Sequence, residues 1–246
     1  MVAATQASDI LLDYFEGPAR GVDTKSSPTD LVSDADRVAE KFLVDFIRHE
    51  RPEDGILAEE GAGRPSRSGL TWVVDPLDGT VNFLFGIPVW CVSVAIEDDR
   101  GGVAGVIYNP NSEELFAAER DRGATLNGEG IHVSDRADLA SALIGTGFSY
   151  DSEARSQQAA LLRRVLPHVR DVRRAGSAAI DLATLACGRF DGFYEAPMEA
   201  WDKAAGVLIV TEAGGVVSEL PAPKGLSPGV VAAGPALHDA LRALVV

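Results

Sequence analysis

A chain of 246 residues, 46% hydrophobic and 24% charged, is long enough to enclose a substantial core and has the balance of an ordinary globular protein. Its 22 basic and 37 acidic side chains give a formal charge of −15, which argues against a general nucleic-acid binder with a basic face. No apolar run approaches the roughly 20 residues that span a bilayer, the opening MVAATQASDILLDYFEG has no basic, apolar leader, and two cysteines, Cys91 and Cys187, make no disulfide framework. A cytoplasmic protein without membrane or nucleic-acid partners is expected.

In chain order, DILLDYF (9–15) reads as a short amphipathic helix. SDADRVAEKFLVDFIRHE (33–50) is a stronger helix, with Val38, Phe42, Leu43, Phe46 and Ile47 as its apolar stripe and Ser33 with Asp36 as its start signal. GILA (55–58) and LTWVVD (70–75) read as strands, separated by GAGRPSRSG (61–69), whose Gly, Ser and Pro content predicts a mobile loop. VSVAIED (92–98), GVAGVIY (102–108) and ELFAAE (114–119) follow with close turn signals, as in an antiparallel meander. Beyond them, strands ALIGTG (142–147) and GVVAAG (229–234) alternate with helices over 152–169, 177–188, 203–215 and 235–245, and SELPAPKGLSPG (218–229) predicts a second mobile loop. This mixture implies layered α and β structure rather than a clean doubly wound sheet. Trp90 and Trp201 read as core or wall aromatics. His49, His132, His168 and His238 have no zinc spacing and read as scattered surface residues.

Three acidic stations follow apolar runs or open helices: Glu59-Glu60, Asp75-Pro76-Leu77-Asp78, and Asp202 in Glu199-Ala-Trp-Asp-Lys-Ala-Ala-Gly206. Acids at strand ends can converge on one edge of a sheet, where open α/β folds bind ligands. Carboxylates so gathered suit a hard cation such as Mg2+, which also neutralises their mutual repulsion. Pro76 favours an extended Asp75, Gly79 permits a tight turn, and a helix opened by Thr80 would present free N–H groups to an anion. Carboxylates for metal beside amides for phosphate suit phosphoryl transfer. Singly, Asp36, Asp78, Thr80 and Asp202 also read as helix caps, and Glu59-Glu60 as a solvated turn. The D-x-x-D-G-T spacing differs from the D-x-D-G-T of haloacid-dehalogenase-like phosphatases, which disfavours a phospho-aspartate mechanism.

These residues resemble the inositol monophosphatase family, within the magnesium-dependent, lithium-sensitive phosphatases that include fructose-1,6-bisphosphatases. The resemblance covers nearly the whole chain. Its signatures are Trp72-Val-Val-Asp-Pro-Leu-Asp-Gly-Thr-Val-Asn-Phe83 and Trp201-Asp-Lys-Ala-Ala-Gly206 with Val210-Thr-Glu-Ala-Gly-Gly215, supported by 25–36, 56–60 and 188–195. It implies a five-layered α-β-α-β-α sandwich of the sugar-phosphatase fold, with an antiparallel or mixed sheet in the N-terminal part and a second mixed sheet in the C-terminal part. One domain would span 1–246, with sublobes of approximately 1–136 and 137–246, and would form a homodimer.

The resemblance further implies two or three Mg2+ ions. Glu59, Asp75 and the Leu77 carbonyl would hold the first, and Asp75, Asp78 and Asp202 the second, with Glu59 contributing to a weaker third. Glu59 and Thr80 would activate the attacking water, with Asp36 bonded to the Thr80 hydroxyl. Gly79 and Thr80 amides would face the phosphate, while Asp78, Gly176, Ser177, Ala178, Glu195 and Asp202 would contact the rest of the substrate. Leu77, Ser177 and Phe85 stand where relatives often have isoleucine, threonine and histidine, which leaves the catalytic set intact and the substrate open. A small polyol or sugar phosphate, first inositol 1-phosphate, is the expected substrate. Histidinol phosphate, fructose 1,6-bisphosphate and a nucleotide 3′-phosphate are alternatives, as is a non-catalytic regulatory subunit that retains the fold.

Overall fold

The structure, a computed structural model, describes residues 1–15, 21–24, 31–222 and 225–246. In chain order these form α1 (Val2–Phe15), β1 (Asp23–Thr24), β2 (Leu31–Val32), α2 (Asp34–Glu50), β3 (Gly55–Ala58), β4 (Gly63–Arg64), β5 (Thr71–Asp78), α3 (Thr80–Leu84), β6 (Cys91–Asp98), β7 (Gly101–Asn109), β8 (Glu114–Glu119), β9 (Ala124–Leu126) and β10 (Glu129–Ile131). They continue with β11 (Leu143–Thr146), α4 (Ser152–Val165), β12 (Asp171–Arg173), α5 (Ala178–Ala186), β13 (Gly192–Glu195), α6 (Ala200–Glu212), β14 (Val216–Leu220), β15 (Gly229–Ala233) and α7 (His238–Val245).

Eight strands make the first sheet, in the order β10-β9-β8-β7-β6-β5-β3-β4, antiparallel except where β3 runs parallel to β5. The second sheet, β12-β11-β13-β15-β14, is mixed: β11 is parallel to β12 and β13, and β15 is antiparallel to β13 and β14. Three apolar layers join them. Leu11, Leu43 and Ile47 of α1 and α2 pack on Val74, Val92 and Val94 of one face of the first sheet. On its other face, Cys91, Ala95 and Ile107 meet Leu182, Ala205 and Ile209 of α5 and α6, which in turn cover Phe193 and Ala232 of the second sheet. Val165 and Leu241 close the far side of that sheet over Ile144, Tyr194 and Val231. The result is the expected five-layered α-β-α-β-α sandwich.

Ser33 and Asp36 form the capping box of α2, with the Ser33 N–H donating to Asp36 Oδ2 at 2.9 Å. The apolar stripe of α2 lies elsewhere than its bulkiest residues suggest. Val38 is 39% exposed and Phe42 and Phe46 are half-buried, while Ala35, Ala39, Leu43, Val44 and Ile47 face the core. Close approach to α1 selects the small side chains.

The 61–69 segment is a tied loop rather than a mobile one. Arg64 Nε donates to the Asp54 carbonyl at 2.7 Å, and Ser68 Oγ and Trp72 Nε1 donate to the Asp54 carboxylate at 2.7 and 2.9 Å. Of the other expected loop, 218–220 belong to β14 and 223–224 lie outside the described residues. His238, expected at the surface, is buried and bonded through Nε2 to Ser218 Oγ at 3.0 Å. Both cysteines are free, and among the described residues no helix is long and apolar enough to cross a membrane.

The approach of α6 to the first sheet depends on two glycines of β7. A Cβ on Gly102 would meet Leu208 at 3.2 Å, and one on Gly105 would meet the Ala205 backbone at 3.1 Å. The Gly105→Val substitution is therefore expected to cost about 2 kcal/mol or more by overpacking, read as a lower midpoint in urea unfolding.

Candidate active site

Parallel pairing of β3 with β5 sets Ala58 opposite Val74, so the next residues, Glu59 just past β3 and Asp75 within β5, stand side by side. The Glu59 N–H donates to the Val74 carbonyl at 3.2 Å. Below the turn, Glu40 of α2 accepts from the N–H groups of Glu60 (2.6 Å) and Ala62 (3.2 Å), which fixes the direction in which Glu59 departs.

In a regular strand, residues three apart face opposite sides. Against β6, however, Asp75 pairs with Ser93 and Asp78 with Cys91, so three steps on β5 span two on its neighbour. This one-residue bulge at Pro76-Leu77 returns Asp78 to the face of Asp75. Pro76 brings no N–H to the ladder, and the Leu77 N–H turns instead to Asp75 Oδ1 at 2.9 Å. Gly79 then takes φ +100°, a left-handed conformation that opens α3 at Thr80. A Cβ there would lie 3.0 Å from the Val89 carbonyl.

The remaining groups arrive from across the chain. Thr80 Oγ1 lies 3.0 Å from Asp36 Oδ1 and 3.1 Å from the Leu77 carbonyl, and can donate its single hydrogen to either. Asp36 itself is fully buried at the start of α2. Asp78 caps α5 rather than the adjacent α3: its Oδ2 accepts from Ser177 Oγ and the Ala179 N–H, both at 2.7 Å. Asp202 is the third residue of α6 and accepts from the Glu199 N–H at 2.7 Å, completing a capping box.

Asp78, Asp202, Glu195, Gly176, Ser177 and Ala178 line a cleft of about 100 Å3. Asp36, Glu59, Asp75 and Thr80 stand outside that lining. A larger cavity of about 340 Å3, between α4, β13 and α7, shares Thr146, Gly147 and Glu195 with the cleft.

The cleft is electrostatically crowded. Burial, followed by the charges of Glu59, Asp78 and Asp202, pushes Asp75 well above the ordinary carboxylate range. Asp202 is raised by burial and then by Asp78. Burial raises Asp78 against the opposing effect of the Ser177 hydroxyl and the Ala179 N–H. Glu195, half-buried at the edge of the cleft, is pushed up to about 8 by burial, then by Asp181 and Asp78, with Arg174 opposing.

The charged groups that shift Asp75 are all acids. An all-oxygen, mutually repelling donor set fits a hard divalent cation. No three His, Cys, Asp or Glu side chains among the described residues are preassembled as a metal shell.

Six lining residues were not legible in the sequence, Thr146, Gly147, Phe148, Tyr150, Arg174 and Asp181, and three of them bear on the charge and space of the cleft. Asp181, 1% exposed, has no hydrogen-bond partner for Oδ1 and is raised well above the carboxylate range by burial and then Asp78. Arg174 is the cation that opposes these rises. Gly147 leaves room for Glu195, whose carboxylate would lie 2.1 Å from a Cβ at that position. An acid four residues after the Ser177 cap reads as an ordinary helix-start charge, so the sequence held no distinct signal for Asp181.

The model of the inositol monophosphatase family matches residues 1–246. The chain is 46% identical over 234 residues to an inositol-1-monophosphatase of Mycobacterium leprae, covering 90% of this chain and 80% of that protein. It is 42% identical over 218 residues to the "Nus factor SuhB" of Xylella fastidiosa, covering 88% and 79%. Its structure resembles the extragenic suppressor protein suhB of Bartonella henselae with a TM-score of 0.91 at 40% identity, covering 99% of this chain and 95% of that one. These matches, with the acidic cleft, place the chain among the phosphoric monoester hydrolases. It belongs to the inositol monophosphatase family.

A carboxyl raised in the folded state favours folding fully below its unfolded pKa, and that contribution is lost as pH rises through the folded value. For Glu195 the window runs from the model-peptide 4.5 up to about 8. The metal-free protein is therefore expected to lose thermal stability between pH 5 and pH 8, and Glu195→Gln to lose less, as read by melting in EDTA.

Proposed function

We propose that the protein is a Mg2+-dependent phosphomonoesterase that hydrolyses inositol 1-phosphate, or a closely similar polyol or sugar phosphate, to the free alcohol and phosphate. The observation that carries this reading is the meeting of Glu59 after β3, Asp75 and Asp78 on β5, and Asp202 at the start of α6, three separate parts of the chain, with charges that act on one another. These acids, with the Leu77 carbonyl, would hold two or three Mg2+ ions. Bound there, Mg2+ would lower the pKa of a water and neutralise charge on the phosphoryl oxygens and the leaving alkoxide.

The chain's own groups do the rest. With its hydrogen donated to Asp36, Thr80 Oγ1 keeps a lone pair with which to accept from a water. Glu59, beside Asp75, takes that water's proton as its oxygen attacks phosphorus, the bond to the alcohol oxygen breaks in line, and the departing alkoxide takes a proton from solvent water. The first N–H groups of α3, at Gly79 and Thr80, face the phosphoryl oxygens. Gly176, Ser177 and Ala178 receive the alcohol half, and Glu195 accepts from its hydroxyls. A polyol suits this end because Glu195 and Asp181 present acceptors to several hydroxyls at once. On this reading residues 1–246 are one domain, with sublobes of about 1–136 and 137–246, working as a cytoplasmic, lithium-sensitive homodimer.

Asp78→Asn and Glu59→Gln are each expected to lower kcat by about two orders of magnitude or more, measured as phosphate release with saturating Mg2+. Wild-type protein should prefer inositol 1-phosphate to histidinol phosphate, fructose 1,6-bisphosphate and a 3′-phosphoadenosine nucleotide, and should release nothing without a divalent cation. Preference for another of the four would reassign the substrate, and metal-independent release would sink the mechanism.

A further inference from the structure

Asn82 belongs to the stretch that carries the two aspartates, yet the proposed chemistry gives it no part. It lies in the short helix α3, 5% exposed. Its side-chain Nδ2 donates to the Val89 carbonyl at 2.7 Å and to the Ala175 carbonyl at 2.9 Å. Two carbonyls facing one group require an NH2 with both hydrogens used; a carboxylate of the same shape would repel both.

Each carbonyl belongs to a turn of the site. Val89 O packs against Gly79, 3.0 Å from the Cβ that Gly79 lacks. Ala175 precedes Gly176, which takes φ +101° and whose absent Cβ would fall 2.6 Å from Asn82 Nδ2. One buried amide thus spans the glycine turn at the phosphate end and the glycine turn at the alcohol end, 93 residues apart between Asn82 and Ala175. Asp78 is held separately, by Ser177 and Ala179 at the start of α5.

We propose that Asn82 is a positioning residue that sets the distance between the phosphate-binding turn at Gly79 and the alcohol-binding turn at Gly176, a role that rests on the functional reading above. Its loss also frees the Val89 carbonyl, but the Gly79 turn keeps the bond from the Phe83 N–H to the Gly79 carbonyl at 3.0 Å, so the larger release is of the peptide at Ala175-Gly176, with the donors to Asp78 left in place. The effect falls on recognition of the alcohol half, in KM more than in kcat.

The test compares inositol 1-phosphate with 4-nitrophenyl phosphate, whose leaving group carries no hydroxyls, in wild type, Asn82→Ala and Asn82→Ser, with amide hydrogen exchange followed alongside. In Asn82→Ala, KM for inositol 1-phosphate should rise about tenfold with kcat changed less than about threefold. The 4-nitrophenyl phosphate constants should stay within about threefold, and exchange should quicken at Gly176 and Ser177. Asn82→Ser, which keeps one donor, should show the same pattern to a smaller degree, and it stands in if the alanine variant does not fold. Equal losses on both substrates, no loss on either, or unchanged exchange at Gly176 and Ser177 would overturn the role. If wild type cleaves neither phosphate, the functional reading falls, and the exchange measurement alone decides whether Asn82 holds the turn.

Discussion

Repulsion among carboxylates is the constraint to which the site answers. Asp75, Asp78 and Asp202 lie where burial penalises their charge, and Asp75 and Asp202 also feel the acids around them, Asp78 among them. Such a cluster separates unless the fold holds it. Each acid is therefore tied by a donor: Asp75 by the Leu77 N–H and Asp202 by the Glu199 N–H, both local, and Asp78 by Ser177 and Ala179 from the start of α5. These bonds fix the direction of every carboxyl while leaving its remaining lone pairs for a cation.

The architecture brings these acids together from distant parts of the chain. The parallel step from β3 to β5 and the bulge at Pro76-Leu77 bring Glu59, Asp75 and Asp78 to one edge. α5 and α6, lying between the two sheets, deliver their first turns to the same edge, and Gly102 and Gly105 let α6 settle there. The layer that buries the largest share of the core is thus also the layer that completes the site, so packing of α6 and placement of Asp202 are one problem.

Much of this was legible in the residues. Ser33 with Asp36, and the Asp75, Asp78 and Asp202 stations, announce themselves because local spacing encodes caps and turns. The bulge itself was hidden: two residues separate the aspartates, an offset that on a regular strand gives opposite faces, and pairing with Ser93 and Cys91 shows how they come to share one. Side chains that matter through contacts nearly a hundred residues apart, such as Asn82 with Ala175, leave no local pattern. Val38 misled because bulk was read as burial, whereas helix contact with α1 favoured the alanines. The β9–β10 hairpin and β12 went unread because three-residue strands carry too little alternation to register.

The central claim is that these separated carboxylates act together as one divalent-cation site. Calorimetric titration of the metal-free protein with Mg2+, in wild type and Asp75→Asn, tests it without reference to any substrate. The account predicts saturable binding of at least two ions per chain in wild type, with protons released as the raised acids ionise, and loss of most of that binding in the variant. Absence of binding in wild type, or equal binding in Asp75→Asn, would contradict it.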